Sequence, residues 1–217
     1  DCHPWQIKAK EIKHDKEKKI IKYKNAWLEI YDKPIIYFPS FFHPDPTVKR
    51  QSGFLMPQVI DSSSLGLSFK LPYYKVISDN KDLTFTPRIF SENEALFQNE
   101  YRQVNKNSKH IIDFSLKEKN STSKTHFFSN SLAKLNMDIF DISEIELNLE
   151  TTSNQDYLKT HNIKSEINNN QSLLKSFLIF RGNSRDINLE TKIEAYENLT
   201  VDNSSDRYEY IFPSYKF

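Results

Sequence analysis

Apolar and polar residues alternate along much of this chain, and this period of two constrains the fold more than any other feature. The pattern recurs at 65–73, 82–89, 112–117, 144–150 and 187–195, with mostly charged or polar side chains at the intervening positions. Successive side chains of a β-strand point to opposite faces of its sheet. The pattern therefore predicts an all-β protein whose strands have one apolar face and one charged face.

Two all-β architectures satisfy this alternation. In a β-sandwich the apolar face is the core, whereas in a membrane barrel it meets lipid and the charged face lines a wet lumen. Most strands repeat at roughly 13–16 residues, longer than the about 8–12 typical of sandwiches. Aromatic residues near strand ends also favour the barrel, where they would form interfacial girdles. These aromatic residues are Tyr73, Tyr74, Phe90, Tyr101, Tyr157, Tyr196 and Tyr215.

Two prolines lie within this pattern. Pro72 and Pro87 each fall inside an otherwise alternating segment, in what we predict to be two successive strands. Proline has no backbone N–H to donate to a sheet, so it is normally kept out of paired strand interiors. One explanation is an edge strand protected against aggregation. The other is a sheet that opens locally at these two strands.

A series of short motifs spans roughly residues 1–105. It comprises Cys2, Trp5, HDKEKK at 14–19, Asn25-Ala26, Pro34, Tyr37, Pro39, Pro44, Lys49-Arg50, SGFL at 52–55, Pro57, LPYY at 71–74, Asp82, TFTP at 84–87, and NEYR at 99–102. In these residues and their spacing the chain resembles the LPS-assembly outer-membrane protein family, which delivers lipopolysaccharide (LPS) to the outer leaflet. After residue 105 the resemblance is carried by the strand pattern and by DRYEYIFPSYKF at 206–217.

The resemblance implies the fold and the division of the chain. We expect the end of a periplasmic β-jellyroll followed by the first strands of a large antiparallel outer-membrane β-barrel. The C-terminal rungs of the jellyroll would occupy 1–38, a Pro-rich linker or hinge 39–63, and the N-terminal part of the transmembrane barrel 64–217. Asp1 opens neither a basic nor an apolar leader segment, and we therefore expect an internal fragment of a longer protein.

The resemblance also implies three kinds of site. Pro72 and Pro87 would weaken the first two barrel strands and form a lateral gate. Cys2 would form a disulfide with a partner outside these 217 residues. Apolar residues of the jellyroll would line a groove for lipid acyl chains, because each exposed methylene costs about 0.8 kcal/mol in water. The groove candidates are Trp5, Ile7, Ala26, Leu28, Ile30, Ile36 and Phe38.

The expected function is the transport of LPS and its insertion into the outer leaflet through the groove and the gate. The expected partners are LPS, the outer-membrane lipoprotein plug of the LPS translocon, the periplasmic LPS bridge protein and the outer-membrane bilayer. The protein would lie in the outer membrane with its N-terminal part in the periplasm. The alternatives are a general porin-like channel and a soluble β-sandwich binding module.

Several other functions are not expected. The net charge of +1 gives no basic surface for nucleic acid. The six histidines have no metal-ligand spacing and the single cysteine excludes a cysteine-based zinc site, so we predict no metal, no cofactor and no enzymatic activity. The segment 154–171 is the longest break in alternation, and we predict a variable surface loop there, with a short helical turn.

Overall fold

The computed structural model describes residues 5–48, 50–62, 65–91, 94–119, 122–202 and 206–216. The chain divides into two compact units, Asp1–Gly53 and Phe54–Phe217. Both are built from antiparallel strands, which confirms the all-β prediction. The proposed division into jellyroll, linker and barrel stays a prediction. Among the described residues, no helix is long and apolar enough to cross a bilayer.

The first unit is a three-stranded sheet in the order β1-β2-β3. The strands are β1 (Trp5–Asp15), β2 (Ile20–Ile30) and β3 (Lys33–Pro44). Tyr31 and Asp32 connect β2 to β3 with φ of 48° and 61°. Two consecutive left-handed residues define the tight hairpin turn whose twist matches that of the flanking strands. The strand β3 continues six residues past Phe38, into the region predicted to be a linker.

The second unit is one large sheet in which successive strands are neighbours. Its main path runs β15-β14-β13-β12-β11-β10-β9-β8-β6-β5, and the short strands β4 and β7 pair beside it. The strands are β4 (Gly53–Phe54), β5 (Gln58–Ser62), β6 (Gly66–Lys70), β7 (Tyr73–Ser78), β8 (Lys81–Phe90), β9 (Ala95–Val104), β10 (Ser108–Lys119), β11 (Thr122–Leu135), β12 (Ile142–Thr152), β13 (Leu173–Asn183), β14 (Asn188–Asn198) and β15 (Tyr208–Lys216).

The two faces of this sheet have opposite environments. Its apolar face is exposed: Ile89, for example, is 58% exposed. The apolar side chains exposed there are Leu67, Phe69, Phe85, Ile89, Phe97, Phe114, Leu116, Phe127, Leu147, Leu149, Leu178 and Ile193. Many polar side chains of the other face are instead buried, namely Ser68, Asp82, Thr86, Arg88, Asp113, Ser115, Lys117, His126, Asn148, Glu150 and Glu194. A water-soluble sandwich buries its apolar face, so this arrangement disfavours the sandwich.

The polar face is buried because the segment 154–171 covers part of it. This segment contains the helical turn α1 (Tyr157–Thr160), as predicted. The expectation of a surface loop was wrong, because Tyr157, Leu158 and Ile163 belong to the apolar cluster of this unit. The other members of the cluster are Phe90, Leu96, Phe128, Leu174 and Leu199. A small core thus lies on the polar side of the sheet, where alternation alone predicts none.

Candidate functional site

Pro72 and Pro87 lie at a break in the first strand pair, in which β6 and β7 both pair with β8. Lys70 pairs with Arg88, and Tyr73 pairs with Phe85, in one continuous antiparallel register. Pro72 therefore lies between β6 and β7 and not inside a continuous strand, while Pro87 lies within β8. Pro87 lacks the N–H that would return the bond to Leu71 across the pairing with β8, whereas Pro72, whose carbonyl accepts from Leu55, lacks a donor on the opposite side, toward β4.

One backbone hydrogen bond bridges the break directly. The Leu71 N–H donates to the Pro87 carbonyl at 3.2 Å, which is long for such a bond. On the other side of the broken strand, the Leu55 N–H donates to the Pro72 carbonyl at 2.8 Å. The segment carrying β4 and β5 thus pairs along the outer side of β6 and β7. The break therefore has backbone neighbours on both sides.

Cross-strand pairing brings the groove candidates with described side chains onto one face of the first unit. Ile7 lies opposite Leu28, and Leu28 lies opposite Ile36. The same register places Ala26 opposite Phe38 and Trp5 opposite Ile30. Residues directly opposite each other project from the same face of a sheet. Ala26 is fully buried, whereas Ile30 and Ile36 are exposed, so this apolar face is only partly covered.

The apolar surface continues past Phe38 with a change of face. The rings of Phe38 and Phe41 lie 5.4 Å apart. This is unusual, because residues three apart in a strand normally project from opposite faces of the sheet. Phe41 also stacks on Tyr23 at 4.6 Å. Between these contacts Asn25 adopts a φ of 49°, a left-handed conformation that asparagine tolerates. The local twist there lets one apolar surface extend along the strands.

Two of the predicted side chains lie outside the described residues. Cys2 is in the first four residues, and the side chain of Trp5 is not described although its strand pairing is. The disulfide of Cys2 therefore stays a prediction. Among the described residues, no group of three or more His, Cys, Asp or Glu is placed to hold a metal ion.

The polar face of the second unit carries ion pairs between neighbouring strands. Arg181 on β13 contacts Glu144 and Glu146 on β12 at 3.1 and 3.2 Å, and Glu190 on β14 at 3.2 Å. Lys117 on β10 pairs at 2.5 Å with Glu94, which lies in the turn between β8 and β9. The Arg181 pairs therefore couple neighbouring strands through their side chains as well as their backbones.

Tyr157 anchors the covering segment through a chain of hydrogen bonds. Its hydroxyl lies 2.7 Å from Ser115 Oγ, which lies 2.6 Å from His126 Nδ1, and His126 Nε2 lies 3.2 Å from Asp113. Burial raises the pKa of Tyr157 to about 12. The tyrosine therefore stays neutral and supplies the hydroxyl that this network uses.

The Ser115, His126 and Asp113 side chains together have the composition of a hydrolytic triad. Ser115 is 1% exposed and its hydroxyl is shared with Tyr157. A nucleophile must reach its substrate, and this hydroxyl is covered in the docked arrangement. We therefore interpret the three residues as the attachment of the covering segment to β10 and β11.

His161 is the second anchor of this segment. Its Nε2 lies 2.9 Å from Lys117 Nζ, and its Nδ1 lies 2.9 Å from the Tyr157 carbonyl. An ammonium can only donate, so Nε2 is the acceptor and Nδ1 carries the proton. Burial lowers the pKa of His161, and the nearby Lys117 acts in the same direction. The imidazole is accordingly held in its neutral form.

A cavity of about 210 Å³ lies between the covering segment and the first strands. Its lining includes Lys70 on β6, Arg88 on β8, and His161 and Lys164 of the segment. Thr86, directly before Pro87, also lines it. Polar, positively charged walls thus lie next to the proline break.

Arg88, Tyr157 and His161 were not identified from the sequence as functional residues. Arg88 follows Pro87 directly, but its strand position indicates only a polar face. Tyr157 was assigned to an aromatic girdle, whereas it is fully buried. The apolar Tyr157, Leu158 and Ile163 within a polar segment were the one signal that this segment packs against something.

A sheet that exposes its apolar face and buries its charged face has the pattern of a strand-built membrane protein. A family model described as LptD protein matches residues 21–173, and the chain belongs to this family.

Curated relatives agree with that assignment. The chain is 33% identical over 120 residues to the LPS-assembly protein LptD of Nitrosomonas europaea, covering 52% of this chain and 16% of that protein. It is 38% identical over 100 residues to the protein of the same name from Yersinia enterocolitica, covering 46% and 13%. It is 32% identical over 124 residues to the protein of the same name from Pseudoalteromonas atlantica, covering 56% of this chain and 16% of that protein. The matches therefore span a small part of each relative.

Proposed function

We propose that this chain takes part in assembling LPS in the outer membrane, by transporting it and inserting it into the outer leaflet. The relatives named above are LPS-assembly proteins. The observation that carries the proposal is the inverted sheet of the second unit, with apolar residues outward and charged residues inward. Lipid favours the first face and a hydrated sugar the second.

The first step of the mechanism is transfer along the first unit. The partly exposed apolar face around Leu28 and Ile36 would cover acyl chains that would otherwise meet water. Each buried methylene contributes about 0.8 kcal/mol, so several chains need a continuous apolar surface. Trp5, Ile7, Ala26, Ile30 and Phe38 would form the rest of it.

The second step is lateral exit at the first strands. Pro87 removes a donor between β8 and the broken strand, Pro72 removes one between that strand and β4, and each missing hydrogen bond is worth about 0.5–1.5 kcal/mol net. In lipid an unpaired carbonyl costs more, because no water replaces the lost donor. The strand pair would therefore separate most easily here, which is the property a lateral gate needs.

The remaining parts of the proposal concern location and partners. The protein would lie in the outer membrane, with the first unit in the periplasm. It would bind LPS, the lipoprotein plug of the LPS translocon and the periplasmic LPS bridge protein. Cys2 would join the first unit to a distant part of the full-length protein, where a long closed loop gains most from a disulfide.

The test is a substitution of both prolines in the full-length protein. Pro72→Thr together with Pro87→Thr restores two N–H donors, and we expect LPS to reach the cell surface about tenfold more slowly. The matched control is Pro213→Thr, which changes a proline within β15 at the opposite edge of the sheet. Unchanged LPS export in the double variant would refute the gate.

A porin-like channel remains the alternative function. It predicts uptake of small hydrophilic solutes by liposomes that contain the full-length protein, with no dependence on Pro72 and Pro87. LPS transport predicts instead that LPS export depends on Pro72 and Pro87. The two functions are therefore separated by the same pair of variants.

A further inference from the structure

The cavity beside the proline break contains an arginine that has no counter-ion among the residues that the structure describes. Arg88 is 7% exposed, its Nε donates to Ser68 Oγ at 3.0 Å, and one terminal nitrogen donates to the His161 carbonyl at 2.8 Å. Both acceptors are neutral. Buried charges are normally paired with an opposite charge, so this guanidinium retains an unmet preference for an anion.

Two lysines extend the positive charge along the same cavity. Lys70 pairs with Arg88 across the strands, and Lys164 belongs to the covering segment. Neither lysine side chain has a hydrogen bond or ion pair to any residue that the structure describes. Three positive charges in a small cavity repel one another unless an anion lies between them.

Acidic residues compensate this charge only in part, because the Asp113 carboxylate acts on Lys70 from outside the cavity lining. Within the described part of the chain, no carboxylate lines the cavity. The nearby Asp113 is fully buried, and the Gln98 amide nitrogen lies 3.1 Å from both of its carboxylate oxygens. His126 Nε2 also lies 3.2 Å from one Asp113 carboxylate oxygen. The oxygens of Asp113 therefore already accept hydrogen bonds from Gln98 and His126.

Size and hydrogen-bonding capacity define the ligand further. The cavity holds about 210 Å³, whereas one water occupies about 30 Å³, so a tetrahedral anion fits. The amide of Gln58 adds an uncharged donor to its wall. Arginine with lysines and amides is the donor set that recognises phosphate.

We propose that the cavity formed by Lys70, Arg88 and Lys164 binds a phosphate group, supplied by a phosphorylated glycolipid head group or by free phosphate. In the first case the inference rests on the proposed transport of LPS. The head group would then be held next to Pro72 and Pro87, at the level where the strands separate. The cavity would position the lipid for lateral exit.

Binding to the full-length protein in detergent tests this site. The probes are lipid A, enzymatically dephosphorylated lipid A and inorganic phosphate, each titrated against wild type, Lys70→Gln and Lys164→Gln. The matched control is Lys75→Gln, an exposed lysine on β7 beyond the break. These lysines are not buried, so the variants should fold, and an unchanged circular dichroism spectrum checks this.

We expect Lys70→Gln and Lys164→Gln each to weaken lipid A binding about tenfold, since each removes a charge-assisted hydrogen bond. Binding of dephosphorylated lipid A should be weak in all variants, and Lys75→Gln should match wild type. If only inorganic phosphate depends on these lysines, the site stands with free phosphate as its ligand.

If neither phosphate nor lipid A binding depends on them, the site is refuted. LPS export measured in the same variants separates this failure from failure of the proposed function. Normal export with unchanged binding refutes the phosphate site alone. Absent lipid A binding by wild type, with phosphate binding retained, contradicts transport and leaves the site in place.

Discussion

The first strand pair and the pair formed by β10 and β11 have the same alternation but different backbone pairing. β10 and β11 pair without interruption from Ser108 to Lys119. β8 instead pairs with two short strands, β6 and β7, separated at Pro72. Side-chain pattern decides which face of a strand is buried, whereas backbone donors decide how firmly two strands hold together. The two properties vary independently in this sheet.

The covering segment connects these two regions. Tyr157 binds Ser115 on the continuous pair, and the His161 carbonyl accepts a hydrogen bond from Arg88 on the broken pair. The segment therefore supplies to the broken pair a contact that its backbone lacks. This predicts that changes in the segment affect β8 more than β10 and β11.

The largest expected effect is that of Tyr157→Ala. Truncating a fully buried aromatic side chain typically costs about 3–5 kcal/mol. In this protein the loss would weaken the docking of the segment 154–171 onto the sheet. Hydrogen exchange in the full-length protein should accelerate throughout the segment and in β8 near Arg88. Exchange in β10 and β11 should change little.

Lys159→Ala is the control for this variant, because Lys159 lies in the same helical turn and is exposed. It should leave exchange unchanged. Equal acceleration in β8 and in β10–β11 would contradict the special dependence of the broken pair on the segment.

The comparison can also be reversed by placing a proline in the continuous pair. Phe114→Pro in β10 removes one N–H donor, and the unpaired acceptor should cost about 1–3 kcal/mol. Faster amide exchange should appear in the neighbours of Phe114, Asn99 on β9 and Phe127 on β11. Phe114→Ala is the matched control, since it removes the ring but keeps the donor. If both variants behave alike, backbone donors do not explain the difference between the regions.

A pH change should act on the same segment through His161. Its pKa is lowered in the folded state, so below about pH 6.5 the released segment binds a proton that the docked segment does not. Docking is therefore complete above that pH and weakens as pH falls toward the folded pKa, by at most about 1.4 kcal/mol per pH unit. Lys117, Arg88 and Lys124 around the ring all oppose its protonation.

Protease cleavage within 154–171, measured from pH 7.5 to pH 5, checks this expectation. Cleavage should increase on acidification in the wild type. The increase should be absent in His161→Gln, which cannot titrate. Cleavage that rises equally in both proteins would assign the pH effect to another group.

The sequence predicted the strands better than it predicted the site. Alternation at 112–117 and 144–150 lies within β10 and β12, because a period of two is a local property of the chain. The position of 154–171 depends on partners far away in sequence, such as Ser115 and Arg88. Charged residues at every second position predict a polar face, but they cannot show whether water or another segment covers it. The burial of Arg88 and the position of the two prolines at one level of the sheet could be predicted only with knowledge of the strand register.

The smallest expected effect concerns the far end of the segment. Arg102 Nη1 on β9 lies 3.5 Å from Glu166, whose side chain is 57% exposed. Exposed ion pairs contribute about 0.2–1 kcal/mol and weaken with salt. A double-mutant cycle with Glu166→Gln and Arg102→Gln isolates this pair from the contacts of Arg102 with Asp82 and Glu100. Segment docking at low and high salt should show a small coupling that salt removes. A larger, salt-resistant coupling would mean that Glu166 anchors the segment as firmly as Tyr157, and the broken pair would then depend on both ends of it.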